Sequence, residues 1–241
     1  MRDGPLVSVI VPVHNGGRFL AAALSSIHEQ DHDPVEVIVI DDGSTDESLE
    51  IARSFPDTAC ISQEQAGPAA ARNAGIRRAT GDLISFLDVD DILHPEKLSR
   101  QVSFLERQPE ATGVVCLQEV VVDPGVAPPD WILESADEDV AGDPLRAIFL
   151  SKAQPLSVMV RAEVLEQVGM FDEAYWMGED VELILRIEEA TAGLRLLPET
   201  LMVRRMHGAN MTYRYDWRDR PLLQLMHSRI RRQRASGEAE R

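Results

Sequence analysis

The chain has 241 residues, with 24 Lys and Arg against 41 Asp and Glu and a formal net charge of −17. That balance excludes a dedicated nucleic-acid binder, because the phosphate backbone rewards basic surfaces. An apolar content of 44% excludes general disorder, and two cysteines exclude a disulfide-dense scaffold; Cys60 and Cys116, in apolar surroundings, read as buried free thiols. The start, MRDGPLVSVIVPV, lacks the pattern of a signal peptide. No apolar run approaches the ~18 residues of a membrane span. A soluble, cytoplasmic protein is expected.

The first 120 residues repeat one rhythm of apolar run, polar turn and helical stretch. Leu6 to Val11 predicts a buried strand ended by Pro12. Gly16 to Gln30 places Phe19, Leu20, Ala23, Leu24 and Ile27 on one helical face. Val35 to Ile40 is a second strand, followed by the turn Asp41-Asp42-Gly43-Ser44 and a helix through Leu49 and Ala52. A short strand is expected near Thr58 to Ser62, a helix over Pro68 to Ala79 and a fourth strand over Leu83 to Leu87. Continuous apolar strands imply that both sheet faces are covered. Their alternation with helices predicts an α/β fold with a mostly parallel sheet.

Beyond Pro95 a helix is expected over Glu96 to Arg107 and a strand over Thr112 to Val122. The stretch from Asp123 to Asp143 holds seven acids and no Lys or Arg, with Trp131 as an apolar anchor. A loop this long reads as a lid or binding loop. Helices follow near Arg146 to Leu150, Arg161 to Val168 and Glu179 to Ala192, the last strongly amphipathic. Short strands are expected over Ser157 to Val160, Leu194 to Leu197 and Leu201 to Met206. Three units result: 1–122, 123–212, and a basic helical tail over 213–241, which leaves peripheral membrane contact or dimerisation open.

Open α/β sheets bind ligands at the carboxyl ends of their strands. Two predicted strands end there in acids: Asp41 and Asp42 after the second, Asp88, Asp90 and Asp91 after the fourth. Clustered acids repel unless a cation or donors compensate. Asp88 and Asp90, two apart, point the same way in an extended segment, and such oxygens suit Mg²⁺ or Mn²⁺ bridging to substrate phosphates. Alternatively Asp88 caps its strand and Asp91 caps the following helix. No G-x-G-x-x-G follows the first strand, and no G-x-x-x-x-G-K-[ST], G-x-S-x-G or zinc-spaced Cys/His set occurs. Arg72, just inside a helix start, is then a candidate diphosphate contact. Tyr175-Trp176 before Gly178-Glu179-Asp180 sets aromatics beside carboxylates, which suits sugar faces as well as cores. Met206-His207-Gly208 closes the set.

Four segments in order carry a family resemblance: Val9-Ile10-Val11-Pro12-Val13-His14-Asn15, Val39-Ile40-Asp41-Asp42-Gly43-Ser44-Thr45-Asp46, Ala71-Arg72-Asn73-Ala74-Gly75 and Phe86-Leu87-Asp88-Val89-Asp90-Asp91. Together they resemble the inverting family 2 glycosyltransferases, which have the GT-A fold, a Rossmann-like sheet flanked by helices with a small acceptor-side subdomain. The resemblance runs from about Leu6 to Asn210. It implies that Pro12, Val13 and Asn15 line the base pocket, and that Asp41 reads a pyrimidine of a nucleoside diphosphate sugar, most simply UDP-linked. It implies a nucleotide contact for Arg72, a ribose-side role for Asp88, and Mn²⁺ or Mg²⁺ on Asp90 with His207 beside it. It makes Asp180 the catalytic base, with Glu179, Trp176 and Trp131 on the side of a saccharide, lipid-linked or small-molecule acceptor. The processive members' Q-x-x-R-W motif is missing, so one sugar per encounter is expected. A sugar-nucleotide pyrophosphorylase and a non-catalytic nucleotide-sugar-binding protein stand as alternatives.

Overall fold

The computed structural model describes residues 4–127, 139–140, 142–149 and 152–211. Trp131 and the basic tail over 213–241 lie outside the described residues. The amino-terminal elements are β1 (Val7–Val13), α1 (Gly17–His28), β2 (Val35–Asp42), α2 (Ser48–Ser54), β3 (Thr58–Gln63), α3 (Pro68–Arg78), β4 (Leu83–Phe86) and β5 (Ile92–Leu93). Then come α4 (Lys97–Arg107), β6 (Gly113–Val122), α5 (Pro144–Phe149), a 3₁₀ turn (Pro155–Ser157), β7 (Met159–Arg161), α6 (Ala162–Val168), α7 (Glu179–Ala190) and β8 (Leu194–Met206).

One eight-stranded sheet runs in the order β3-β2-β1-β4-β7-β6-β8-β5. Strands β3, β2, β1 and β4 are mutually parallel, as are β6 and β8; β7 and β5 pair antiparallel to their neighbours. The α/β fold is as expected, and the antiparallel pairs make the sheet a mixed one. Alternation along β1 divides the core. Val7, Val9, Val11 and Val13 join α1 and α4 on one face, while Ile10 joins α6 and α7 on the other. Gly75 lets α3 lie close on β1, since a Cβ there would stand 2.3 Å from Ile10 Cγ2.

The sheet departs from the sequence reading at two prolines. Strand β1 does not end at Pro12 but continues to Val13 against Asp41. Pairing with β4 reaches only Ile10, so Pro12 has no strand on that side and its missing N–H interrupts no ladder. The two short strands expected at 194–197 and 201–206 are one strand, β8. Leu197 pairs with Cys116 and Thr200 with Leu117, so Pro198 and Glu199 bulge out of register without ending the strand. Cys116 is buried and Cys60 half-buried; both are free thiols. Among the described residues, no helix is long and apolar enough to cross a membrane.

Candidate active site

The carboxyl ends of β1 and β2 form the first wall. Asp41 is buried and accepts from Ser44 N–H (3.1 Å) and Ser62 Oγ (2.9 Å). A carboxylate offers about four acceptor sites, so capacity remains for a base edge. Asp42 holds the loop between β3 and α3. Its Oδ1 accepts from Gln63 Nε2 (2.7 Å) and Ala66 N–H (2.8 Å), and its Oδ2 from Gly67 N–H (2.9 Å). Val13 is buried, Pro12 half-buried and Asn15 exposed in the left-handed region at φ 51°. Asn15 ties β1 to the turn after β2: its N–H donates to Ser44 Oγ and its Oδ1 accepts from Thr45 N–H.

The acids after β4 form a turn, not the extended segment expected, with Asp91 N–H donating to Asp88 O (3.1 Å). Asp88 and Asp90 consequently meet different partners. Asp88 Oδ1 accepts from Arg72 Nη2 at 2.7 Å. Asp90 Oδ2 accepts from His207 Nε2 (3.1 Å) and Asn210 Nδ2 (2.8 Å). His207 Nδ1 accepts from Ala209 N–H, so Nε2 carries the ring proton. Burial and the neighbouring Asp88 push the Asp90 carboxyl above its usual range. Asp91 does not cap α4; its oxygens accept from Gln154 Nε2 (2.8 Å) and Arg205 N–H (3.0 Å), anchoring the end of β8.

Arg72, on α3, joins this turn to α7. Its Nη1 donates to Glu179 Oε1 at 2.6 Å, and its side chain is 5% exposed. Phe171 packs on the guanidinium, 5.5 Å from ring centre to Cζ. Both terminal nitrogens thus serve carboxylates, and Nε is buried with no partner among the described residues. Gly178 caps α7 in the left-handed conformation (φ 79°), which glycine adopts without strain, so Glu179 and Asp180 open the helix. Burial pushes the Glu179 carboxyl up to about 7; Arg72 pulls it down and Asp180 pushes it up. Asp180 is half-buried and raised, chiefly by burial, with Asp88 adding to the rise and Arg72 opposing it. Trp176, 54% exposed, lies over the start of α3, where a Cβ on Gly67 would come 3.1 Å from its Cζ3. Tyr175 is buried.

The structure therefore gathers Arg72, Asp88, Glu179 and Asp180 into one charged network, with Asp90 and His207 beside it. Trp131 lies outside the described residues. Among the described residues, no three His, Cys, Asp or Glu side chains stand close enough together to hold a metal by themselves. Sequence reasoning missed Phe19, Gln154 and Asn210. Asn210 lies three residues past His207, and its Oδ1 also accepts from His207 N–H. Phe19 packs on the His207 ring with centroids 4.5 Å apart; its helical spacing marked it only as core.

Residues 8–166 match the family model described as glycosyl transferase family 2. An uncharacterized glycosyltransferase of Rickettsia prowazekii is 28% identical over 214 residues, 86% of this chain and 66% of its own. Another, from Nostoc, is 31% identical over 212 residues, 85% of this chain and 66% of its own. The chain thus spans about two thirds of the length of these curated relatives. Among solved structures, S. aureus TarS 1–349 in complex with UDP-GlcNAc superposes with a TM-score of 0.70 at 22% identity, covering 87% of this chain and 61% of that one. A mannosyltransferase of Pyrobaculum calidifontis in complex with GDP-Man and Mn²⁺ gives 0.69 at 25% identity, covering 95% and 65%. These likenesses are those of a GT-A fold.

Proposed function

Since the chain belongs to glycosyl transferase family 2, we propose that it moves a sugar from a nucleoside diphosphate sugar to an acceptor hydroxyl with inversion. The observation that carries this reading is the Arg72 bridge. It ties Asp88, at the donor end of β4, to Glu179, next to Asp180 at the start of α7. With Asp88 read as donor-side and Glu179 and Asp180 as acceptor-side, the bridge supports the two groups acting on one substrate pair, as a single in-line displacement requires.

Asp180 takes the proton of the acceptor hydroxyl as that oxygen attacks the anomeric carbon. Its raised proton affinity suits the task, because a base works best with a pKa near the working pH. Asp41, with Pro12, Val13 and Asn15 around it, holds the base, and Asp88 holds the ribose side. The bound nucleotides of the two structural neighbours are UDP-GlcNAc and GDP-Man; the Asp41 carboxylate can accept from uracil N3–H or guanine N1–H, and the family resemblance points to the uracil donor. Trp176 offers an exposed ring for an acceptor sugar to stack on.

Asp90 and His207 suit a divalent cation. His207 Nε2 donates to Asp90 over 3.1 Å and would have to release that proton to hold a metal, while the burial and Asp88 charge that raise the Asp90 carboxyl would be offset by a bound cation. Two protein ligands suffice where diphosphate oxygens and water complete the shell. Mn²⁺ or Mg²⁺ there would neutralise charge on the departing nucleoside diphosphate. The test is release of nucleoside diphosphate from UDP- and GDP-linked sugars with Mn²⁺ and with chelator. Metal-dependent release from one donor class is expected. Donor binding without turnover for any acceptor would leave a binding module and overturn the reading.

A further inference from the structure

Of the buried residues of α3, only the adjacent Arg72 and Asn73 carry polar side chains; the others are alanines and a glycine. Both reach the stretch 171–179, the chain that leads into α7. Arg72 Nη1 donates to Glu179 Oε1, on the first residue of α7. Asn73 takes the other end. Its Oδ1 accepts from Phe171 N–H (2.9 Å), and its Nδ2 donates to Phe171 O (2.9 Å) and Glu173 Oε1 (2.8 Å). The carboxamide thus pairs with both backbone groups of Phe171, as a peptide unit of a neighbouring strand would. Asn73 is 3% exposed. Asparagine is a poorer helix former than alanine, so these bonds, not helix propensity, account for its place in α3.

Between the two grips the chain forms a short arch. Ala174 N–H donates to Asp172 Oδ1 (2.9 Å) and Tyr175 N–H to Asp172 O (3.1 Å), which folds the arch back on itself. Tyr175 is buried, and Trp176 stands out over Gly67 at the start of α3. Ahead of the arch, Arg186 of α7 donates to the carbonyls of Val168, Gly169 and Met170. Phe171 is buried edge-on against Phe86 at the end of β4, with ring centres 5.3 Å apart. The arch carries Trp176 and leads directly to Asp180. Helix α3 starts from the loop that Asp42, next to Asp41, holds through Gly67 N–H. One helix therefore joins the Asp41 wall to both ends of the arch.

We propose that Asn73 is a positioning residue. By gripping Phe171 and Glu173 it sets where Trp176 and Asp180 stand relative to the donor wall. The role in turnover rests on the transferase reading; the grip on the arch does not. A misplacement of about 1 Å away from the chemistry can cost about 10²-fold in rate, so loosening one end of the arch is expected to slow the reaction without emptying the nucleotide pocket.

The test compares wild type with Asn73→Ala and Glu173→Ala, each as the full chain and well below its melting temperature. Nucleoside diphosphate release from the donor that wild type turns over is measured beside calorimetric affinity for UDP and GDP. Fluorescence anisotropy of Trp176 is read in a Trp131→Phe/Trp217→Phe background. In Asn73→Ala, kcat is expected to fall about 10–100-fold with nucleotide affinity kept within about twofold, and Trp176 anisotropy to drop. Glu173→Ala removes one bond at an exposed residue. It should show the same split at a few-fold, and it decides the matter if Asn73→Ala does not fold. A purely structural Asn73 would lower Tm alone. Wild-type kcat and anisotropy in the folded variants therefore overturn the proposal, as does a loss of nucleotide affinity equal to the loss of rate. If wild type releases no nucleoside diphosphate from any donor, the transferase reading falls, and Trp176 anisotropy alone decides whether Asn73 sets the arch.

Discussion

The guanidinium of Arg72 stands 2.6 Å from Glu179 Oε1, although the two residues lie 107 positions apart in the chain. The same guanidinium holds Asp88 at 2.7 Å, so one side chain ties the turn after β4 to the start of α7. All three groups are withdrawn from water to different degrees, with side-chain exposures of 5%, 8% and 33% for Arg72, Glu179 and Asp88.

Arg72→Ala leaves the buried Glu179 without its counter-charge. Removing one partner of a buried pair typically costs about 3–5 kcal/mol, so a large fall in the urea midpoint is expected. Arg72→Lys should recover only part of it, since an ammonium does not reproduce a fork that spans two carboxylates. A melting curve unchanged by Arg72→Ala would contradict the bridge.

Glu179 also gives stability a pH dependence. Its carboxyl titrates near 7 in the folded protein against an ordinary 4.5. Between those values the folded chain holds a proton that the unfolded chain releases, so the contribution is complete below 4.5 and lost as pH rises through 7. Urea midpoints of wild type and Glu179→Gln at about pH 5 and about pH 8 measure it. Wild type should lose ground to the variant on going to the higher pH. Parallel behaviour of the two would show that Glu179 takes up no such proton on folding.

Lys97 is fully buried, bonded to Gln101 Oε1 (2.8 Å) and Ser85 Oγ (3.3 Å), with burial pulling its amine below the ordinary range. Below its folded pKa the protein keeps a charge in the core, and stability rises with pH toward the ordinary value of 10.5. Lys97→Met is expected to raise Tm by about 2–4 °C at neutral pH, with the gap closing at about pH 10. A lower Tm at every pH would show that the hydrogen bonds outweigh the buried charge.

Much of this was legible locally. The apolar strands, the helix over 68–78 and the acids at two strand ends follow from runs of a few residues. The sheet's mixed direction was not, because β7 is a three-residue strand whose pairing with β4 and β6 depends on the whole fold. Asp88 and Asp90 also misled: alternation assumes an extended backbone, and the chain turns there. Arg72 was picked out as a functional residue, but its carboxylate partners, 16 and 107 positions away, could not be read from local spacing. Asp42 stood in the sequence as one of two acids after the second strand; three loop donors show it to be a brace.

That brace is itself testable. Asp42→Ala leaves Gln63 Nε2 and the Ala66 and Gly67 amides without their acceptor, and unsatisfied groups of this kind cost about 1–3 kcal/mol each when buried. A clear loss of stability with weaker nucleotide binding is expected, because the loop leads into α3. Unchanged nucleotide affinity in a destabilised variant would confine Asp42 to folding.

In the proposed reaction the carboxylate of Asp180 takes the acceptor proton. Its most direct test is nucleoside diphosphate release by Asp180→Asn, with donor affinity measured on the same sample. The rate is expected to fall by about 10²–10⁴ with donor affinity kept within a few-fold. Release at the wild-type rate would contradict it.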